Sequence, residues 1–224
     1  EKAADHYKQA LVISREIGDR RNEGRWLRNL GIIYSTWGEY PKAIEYFGEA
    51  LLIAREIGDR RNEGKHLSGL GSAYNSIGQY DQAIYYYKQA LSIAREIGDR
   101  YMEGVSLGYL GNAYYSMGRY EKAMNNYEQA LAISREIDDR RGEGRRLGNL
   151  GTIYSNWGQY PKAIEYYQEA LVIAREVEDL SSEGVHLGRL GNVYNLMGQY
   201  EKCMEYYEEA LSITREIGDL SGEG

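Results

Sequence analysis

Apolar side chains recur along the chain at intervals of three and four residues. Leu27, Leu30 and Tyr34 form one such stripe, and Ala43, Ile44, Phe47, Ala50, Leu51 and Ile53 form the next. That spacing follows one face of an α-helix, so the pattern predicts two amphipathic helices separated by a short break. Gly38 marks the break and suits the left-handed residue that follows a helix. Gly58 closes the second helix in the same way, with Asp138 and Glu178 as exceptions in later copies. The first helix opens at Asp19, whose carboxylate can accept a hydrogen bond from the unpaired first-turn N–H groups. Glu23 follows in that turn, where the positive end of the helix dipole favours an acid. The second helix opens at Pro41 or Pro161, whose missing N–H is not needed there, or at Asp81, Glu121 or Glu201.

The pair is then repeated. Asp19, Asp59, Asp99, Asp139, Asp179 and Asp219 mark a period of 40 residues. Gly31, Gly71, Gly111, Gly151 and Gly191 keep it, as do Tyr34, Tyr74, Tyr114, Tyr154 and Tyr194. The chain therefore divides as a single array. A half repeat at 1–18 holds a second helix alone; full repeats occupy 19–58, 59–98, 99–138, 139–178 and 179–218; a further repeat starts at 219–224. Small residues at Gly31, Ala43 and Ala50 predict closely packed antiparallel helices, with Tyr34 and Phe47 filling space beside them. One such hairpin cannot bury both faces, whereas stacked neighbours can. The expected fold is an all-α solenoid of about eleven helices.

Leu27, Leu30-Gly31, Tyr34, Ala43, Phe47 and Ala50 together resemble the signature of the tetratricopeptide repeat. Every full repeat carries the set, except that Cys203 replaces the first alanine in the last one. Two features depart from the family pattern. Arg55 and its equivalents stand where the family closes on Pro, so the second helix should run about one turn further. The repeat is also about six residues longer than the family's usual 34 or so. Longer repeats with "AREIGDR" and "LGN" phrases are similar to those of Leu-Gly-Asn-rich polarity adaptors, the Partner of Inscuteable class, and of kinesin light chains. The Leu-Gly-Asn phrase is kept at Asn112 and Asn192, while Ile32, Ser72 and Thr152 replace the asparagine elsewhere. The resemblance implies a right-handed superhelix and a non-catalytic scaffold that binds proteins or peptides.

In that family the first helices line the inner, concave face. Opposite the core stripe, this sequence puts Arg25, Arg28 and Asn29 in the first full repeat, Lys65 and Asn75 in the second, and Tyr109, Asn112 and Tyr115 in the third. The fourth presents Arg145, Asn149 and Asn156, and the fifth Arg189, Asn192 and Asn195. No Asp or Glu occurs in 24–38, 64–78, 104–118, 144–158 or 184–198, although the whole chain carries a net charge of −7. An acidic chain with a neutral-to-basic groove is expected to take an extended, acidic peptide through charge-assisted hydrogen bonds. The competing reading is a face that is merely solvated.

Other chemistry finds little support in the residues. Net acidity argues against wholesale nucleic-acid binding, and there is no long apolar run of membrane-spanning length. One cysteine, Cys203, permits no internal disulfide and suits a reducing, cytoplasmic setting. It replaces a packing alanine and reads as a buried thiol. His66 and His186 share one column three repeats apart, and no His or Cys pair has metal-ligand spacing. No glycine turn is followed by Gly-Lys-Ser or Gly-Lys-Thr, so neither a phosphate loop, a metal, a cofactor nor an enzyme activity is expected. The ends suggest a second reading. The first helix carries Ala3, Tyr7, Ala10, Leu11 and Ile13 without the hairpin partner that covers this stripe elsewhere. That predicts an exposed apolar face, either continued by a longer array or used for end-to-end association of copies. The similarity among repeats also fits recent duplication or partial consensus design.

Overall fold

The structure, a computed structural model, describes residues 2–222, with side chains as far as 218. The Asp219 side chain and residues 223–224, where the pattern begins a further repeat, lie outside the described residues. Eleven α-helices and no strand occur among the described residues: α1 (Lys2–Glu16), α2 (Arg20–Thr36), α3 (Tyr40–Glu56), α4 (Arg60–Ser76), α5 (Tyr80–Glu96), α6 (Arg100–Ser116), α7 (Tyr120–Glu136), α8 (Arg140–Asn156), α9 (Tyr160–Glu176), α10 (Leu180–Leu196) and α11 (Tyr200–Gly222). They form two compact parts, residues 1–126 and 127–224, so the residues of α7 are divided between them. In the first part each of α1 to α5 packs on its successor, and α2, α4 and α6 also touch side by side. In the second part α8 packs on α9, α9 on α10 and α10 on α11, with α8 against α10. The fold class is the all-α repeat solenoid.

Local chemistry fixes each helix boundary. Asp19, Asp59, Asp99, Asp139 and Asp179 cap the first helices by accepting from the backbone N–H three residues on. The N–H groups of Asn22, Met102 and Ser182 hold the carboxyls of Asp19, Asp99 and Asp179 below their ordinary pKa. α3 and α9 instead begin with Pro in the first turn and have no side-chain cap. At the other end, Gly38 has φ 76°. Its N–H reaches Ser35 O at 3.1 Å, and Glu39 N–H reaches Tyr34 O at 2.9 Å. This motif satisfies two of the carbonyls a helix leaves open. Asp138 and Glu178 adopt the same left-handed conformation without being glycine, at φ 57° and 53°. α3 runs past Arg55 to Glu56, consistent with the missing proline. α11 continues through Gly218 to Gly222 instead of turning there.

Two contacts set the packing. Within a hairpin the glycine of the first helix faces an aromatic ring of the second. A Cβ on Gly31 would stand 2.8 Å from Phe47, and one on Gly71 2.5 Å from Tyr87. Gly151 and Gly191 meet Tyr167 and Tyr207 in the same way. Leu27, Leu30, Ala43 and Ala50 are fully buried beside the first contact. Between successive hairpins the first-turn glutamate is buried, a role beyond the dipole interaction. Glu23 accepts from Arg15 at 2.9 Å and Arg20 at 2.6 Å. Burial alone would raise its pKa, but the two guanidiniums outweigh burial and hold it below its ordinary value. Arg55 and Arg60 clamp Glu63, Arg95 and Arg100 clamp Glu103, and Arg135 and Arg140 clamp Glu143. Glu183 pairs with Arg175 at 2.7 Å, and Leu180 stands where the second arginine would be.

Replacing Gly71 with Ala should destabilise the chain by about 1–3 kcal/mol, because the ring of Tyr87 must move. Replacing Glu178 with Gly should stabilise it by about 1 kcal/mol, by relieving the left-handed backbone. Urea denaturation of both variants checks the opposite signs.

Candidate functional site

The first helices project their remaining face away from the core stripe. In the first part, α2, α4 and α6 together line a cavity of about 480 Å³. Of the residues predicted for a groove, it gathers Arg28, Lys65 and Tyr109, together with Ile32, Ser68, Ser72 and Val105. Phe47, Gly69, Arg61, Asp99, Tyr101 and Met102 complete the lining. Three cations thus face one acid. Asp99 is already occupied, because it caps α6 and accepts from Arg61 at 2.8 Å. Arg28 and Lys65 form no ion pair among the described residues.

The cavity exists because two repeats differ from their neighbours. Gly69 stands where the other repeats have Asn29, Tyr109, Asn149 and Arg189. A Cβ there would lie 2.8 Å from the ring of Phe47, so the ring reaches the surface of the first helices at this point. In the later repeats a tyrosine replaces Phe47 and donates its hydroxyl across the hairpin. Tyr87 reaches Ser72 at 3.2 Å, Tyr167 reaches Thr152 at 3.1 Å, and Tyr207 reaches Asn192 at 2.6 Å. Opposite Phe47 the residue is Ile32. The pair is apolar on both sides, which gives this cavity a greasy floor under a cationic rim. Tyr109 forms a wall, stacked on Tyr87 with ring centroids 5.2 Å apart.

The other predicted groove residues are more scattered. Arg25 lies over the ring of Trp26 at 5.1 Å and lines a second cavity of about 330 Å³ with Arg21, Arg28, Asp59, Lys65 and His66. Asn29 and Asn112 are half-buried, and Tyr115 is tilted against Tyr120. Asn75 is half-buried, with its Oδ1 shielded and without a partner in the protein. In the second part Arg145, Asn156 and Asn195 are exposed and Asn149 is half-buried. Arg189 covers the ring of Tyr167 at 5.8 Å, and Asn192 is engaged by Tyr207. Arg61, Tyr101, Met102 and Asp99 escaped the sequence reading because they lie in or before the first helical turn. Gly69 and the single phenylalanine were the signals that could have revealed the cavity.

The apolar end stripe differs from expectation. Leu11 is buried, and Tyr7 is half-buried, stacked on Trp26 at 5.6 Å. Ala10 is half-buried and Ala3 exposed. α1 turns the Tyr7–Leu11 edge into α2, its successor, and leaves Ala3 and Ile13 of the stripe exposed, with Val12 and Ile17 beside them. On α11, Tyr200, Met204, Tyr207 and Leu211 are exposed. Cys203 is buried where the alanine would be. No helix is long and apolar enough to cross a membrane among the described residues.

His66 and His186 are both buried, and the Nδ1 atom of each lacks a partner in the protein. Burial pushes both down to about 4; Arg28 adds to this at His66, and Arg189 at His186. A folded pKa below the ordinary value of about 6.5 means the neutral ring is favoured by folding. That stability is fully present above about pH 6.5 and is lost as the pH falls toward about 4. In low-salt buffer, imidazole titration by NMR should give midpoints near 4 for both rings, and replacing both with Phe should flatten stability across this interval.

Comparison with known proteins adds the following. The tetratricopeptide repeat models match residues 1–56, 38–96 and 101–176, and a second model of that repeat matches 186–214. No curated protein sequence matches. Among solved structures, BtubC (BKLC) from P. vanneervenii aligns with TM-score 0.84 at 21% identity, over 97% of this chain and 92% of that one. A putative kinesin light chain from Podosopora anserina with nearly identical repeats aligns with TM-score 0.68 at 20% identity, over 86% and 95% of the two chains. A Rap protein in complex with competence and sporulation factor aligns with TM-score 0.72 at 20% identity, over 97% of this chain and 70% of that one.

Proposed function

The chain belongs to the tetratricopeptide repeat family, and we propose that it is a non-catalytic scaffold that holds an extended, acidic peptide on the inner face of its first helices. The observation that carries this reading is the 480 Å³ cavity of the first part, with unpaired Arg28 and Lys65 above Ile32, Phe47 and Tyr109. An apolar pocket with a few convergent polar groups is the usual form of a ligand site. Its cationic rim, in a chain of net charge −7, gives the sign of the ligand. The absence of acids from the same stretch of every first helix extends that sign to Arg145 and Arg189 in the second part. The structural likeness to a Rap protein solved with competence and sporulation factor supports a bound ligand for this architecture. The 40-residue repeat and the Leu-Gly-Asn phrases at Asn112 and Asn192 support a finer kinship with polarity adaptors and kinesin light chains. A cytoplasmic setting fits the lone, buried cysteine.

A second reading uses the ends. Met204, Tyr207 and Leu211 are exposed on α11, although their counterparts in earlier repeats lie against a following helix. Copies could associate through this face and through α1 without using the groove. Light scattering over a concentration series tests it, and a strict monomer argues against it.

The groove is tested by peptide display against the whole chain at low and raised salt. Acidic extended sequences should be enriched and should bind less well in salt. Exchanging Arg28 and Lys65 together for Glu should weaken the selected peptide by about tenfold or more, through loss and reversal of charge-assisted bonds. Unchanged affinity in that variant removes the cavity as the binding site.

A further inference from the structure

His66 and His186 have a setting in common that the packing does not explain. Each lies on a first helix beneath arginines from the preceding first helix. Around His66 these are Arg21, Arg25 and Arg28 of α2, with Asp59 and Lys65 on its own helix and apolar residues only from α3. The sequence repeats the arrangement 120 residues later as Arg141 and Arg145 on α8 with Asp179 and His186 on α10. Arg28 has no counterpart at Gly148, but Arg189 fills the space. A Cβ on Gly148 would stand 2.8 Å from an Nη of Arg189 and 2.5 Å from His186 Cε1. Around His66 three guanidiniums therefore meet one buried imidazole, while at His186 Arg189 lies against the ring and Arg141 and Arg145 face Asp179; each arrangement lies within a single compact part.

The charges at these places are only partly compensated, by Asp59 facing Arg21 and by Asp179 facing Arg141 and Arg145. Arg21, Arg25, Arg141 and Arg145 form no ion pair among the described residues. The lone acid in each, Asp59 or Asp179, is committed to capping its helix. In the repeat after His66, Arg61, the counterpart of Arg21, pairs with Asp99, and the histidine position is Ser106, whose Oγ is likewise buried without a partner. Each imidazole also keeps a buried, unpartnered nitrogen. A buried polar atom without a partner costs stability, and at His66 and His186 the ring that carries it lies beside arginines that form no ion pair, a setting an anion would complete. Around His66 the cavity has about 330 Å³ of space.

We propose that the two arrangements are equivalent binding sites, each for one oxyanion, a carboxylate or a phosphate group, held by the arginines with the imidazole as a further hydrogen-bond partner. This deepens the proposed function, on which it rests for the source of the anion: an acidic or phosphorylated side chain of a groove ligand at each site. Arginine forks suit either group in a bidentate manner.

The test uses the whole, isotopically labelled chain at constant ionic strength, titrated separately with sodium phosphate and sodium acetate against a sodium chloride reference. The imidazole nitrogens of His66 and His186 should both shift saturably with an oxyanion and not with chloride. Bound anion should also raise the titration midpoint of His66. Tighter phosphate binding points to a phosphorylated ligand, and tighter acetate binding to acidic side chains; either supports the sites. The double variant Arg21→Gln, Arg25→Gln, checked for folding by its amide spectrum, should weaken the response at His66 by about tenfold, as expected for lost charged hydrogen bonds. The response at His186 should stay as it was. Imidazoles that do not move, that move equally with chloride, or that respond unchanged in the double variant overturn the inference. Failure of peptide display with oxyanion binding intact would count against the peptide and leave the anion sites standing.

Discussion

The ring of Phe47 occupies the place where a Cβ on Gly31 would stand, and the rest of the structure depends on that closeness. A glycine opposite an aromatic ring brings the two helices of a hairpin together until Leu27, Leu30, Ala43 and Ala50 leave no room for water. The contact returns at Gly71 with Tyr87, Gly151 with Tyr167 and Gly191 with Tyr207, so hairpins of one thickness are produced wherever the repeat is written. Uniform hairpins can stack because each offers its neighbour the same surface. The three-residue turns, with their left-handed residue and aspartate cap, keep the helices in register while this happens.

Stacking has its own lock. The buried glutamates are taken out of water and held by arginines from the preceding helix and their own first turn. A carboxylate buried this way is costly unless paired, which ties each hairpin to the one before it. The same device affects function. It places the first helices' acids in their first turn and leaves the exposed stretch beyond Gly24, Gly64 and Gly144 free of them. The cationic surface of an acidic chain is thus a by-product of how its repeats are joined, and it is available to a ligand.

Specificity arises where repetition fails. Gly69 removes a side chain that other repeats have, and Phe47 with Ile32 removes a hydroxyl and its partner. Those changes open an apolar cavity on a surface that is elsewhere filled by tyrosine hydroxyl bonds. The histidine column follows the same logic. That column reads Trp26, His66, Ser106, Arg146 and His186, and both histidines lie beside arginines that form no ion pair among the described residues. A scaffold of near-identical repeats can carry distinct ligand positions because its core residues are uniform and its surface residues are not.

Helix number, helix boundaries, the turn glycines and the identity of the core were legible in the sequence, because each follows from contacts a few residues apart or from the 40-residue period. The basic stretches of the first helices were legible for the same reason. Several things were not. Glu23 reads as an ordinary first-turn acid until Arg15 arrives from another helix. Tyr7 and Leu11 read as an exposed stripe until α2 covers them. The cavity needed Phe47, Gly69, Arg61 and Met102 from three helices, and the anion sites needed arginines and histidine from successive repeats. Local periodicity determines which residues become helix and which face is apolar. Which side chains from different helices meet is decided only when the hairpins close and stack, because that packing sets the distances on which charge pairing and cavity shape depend.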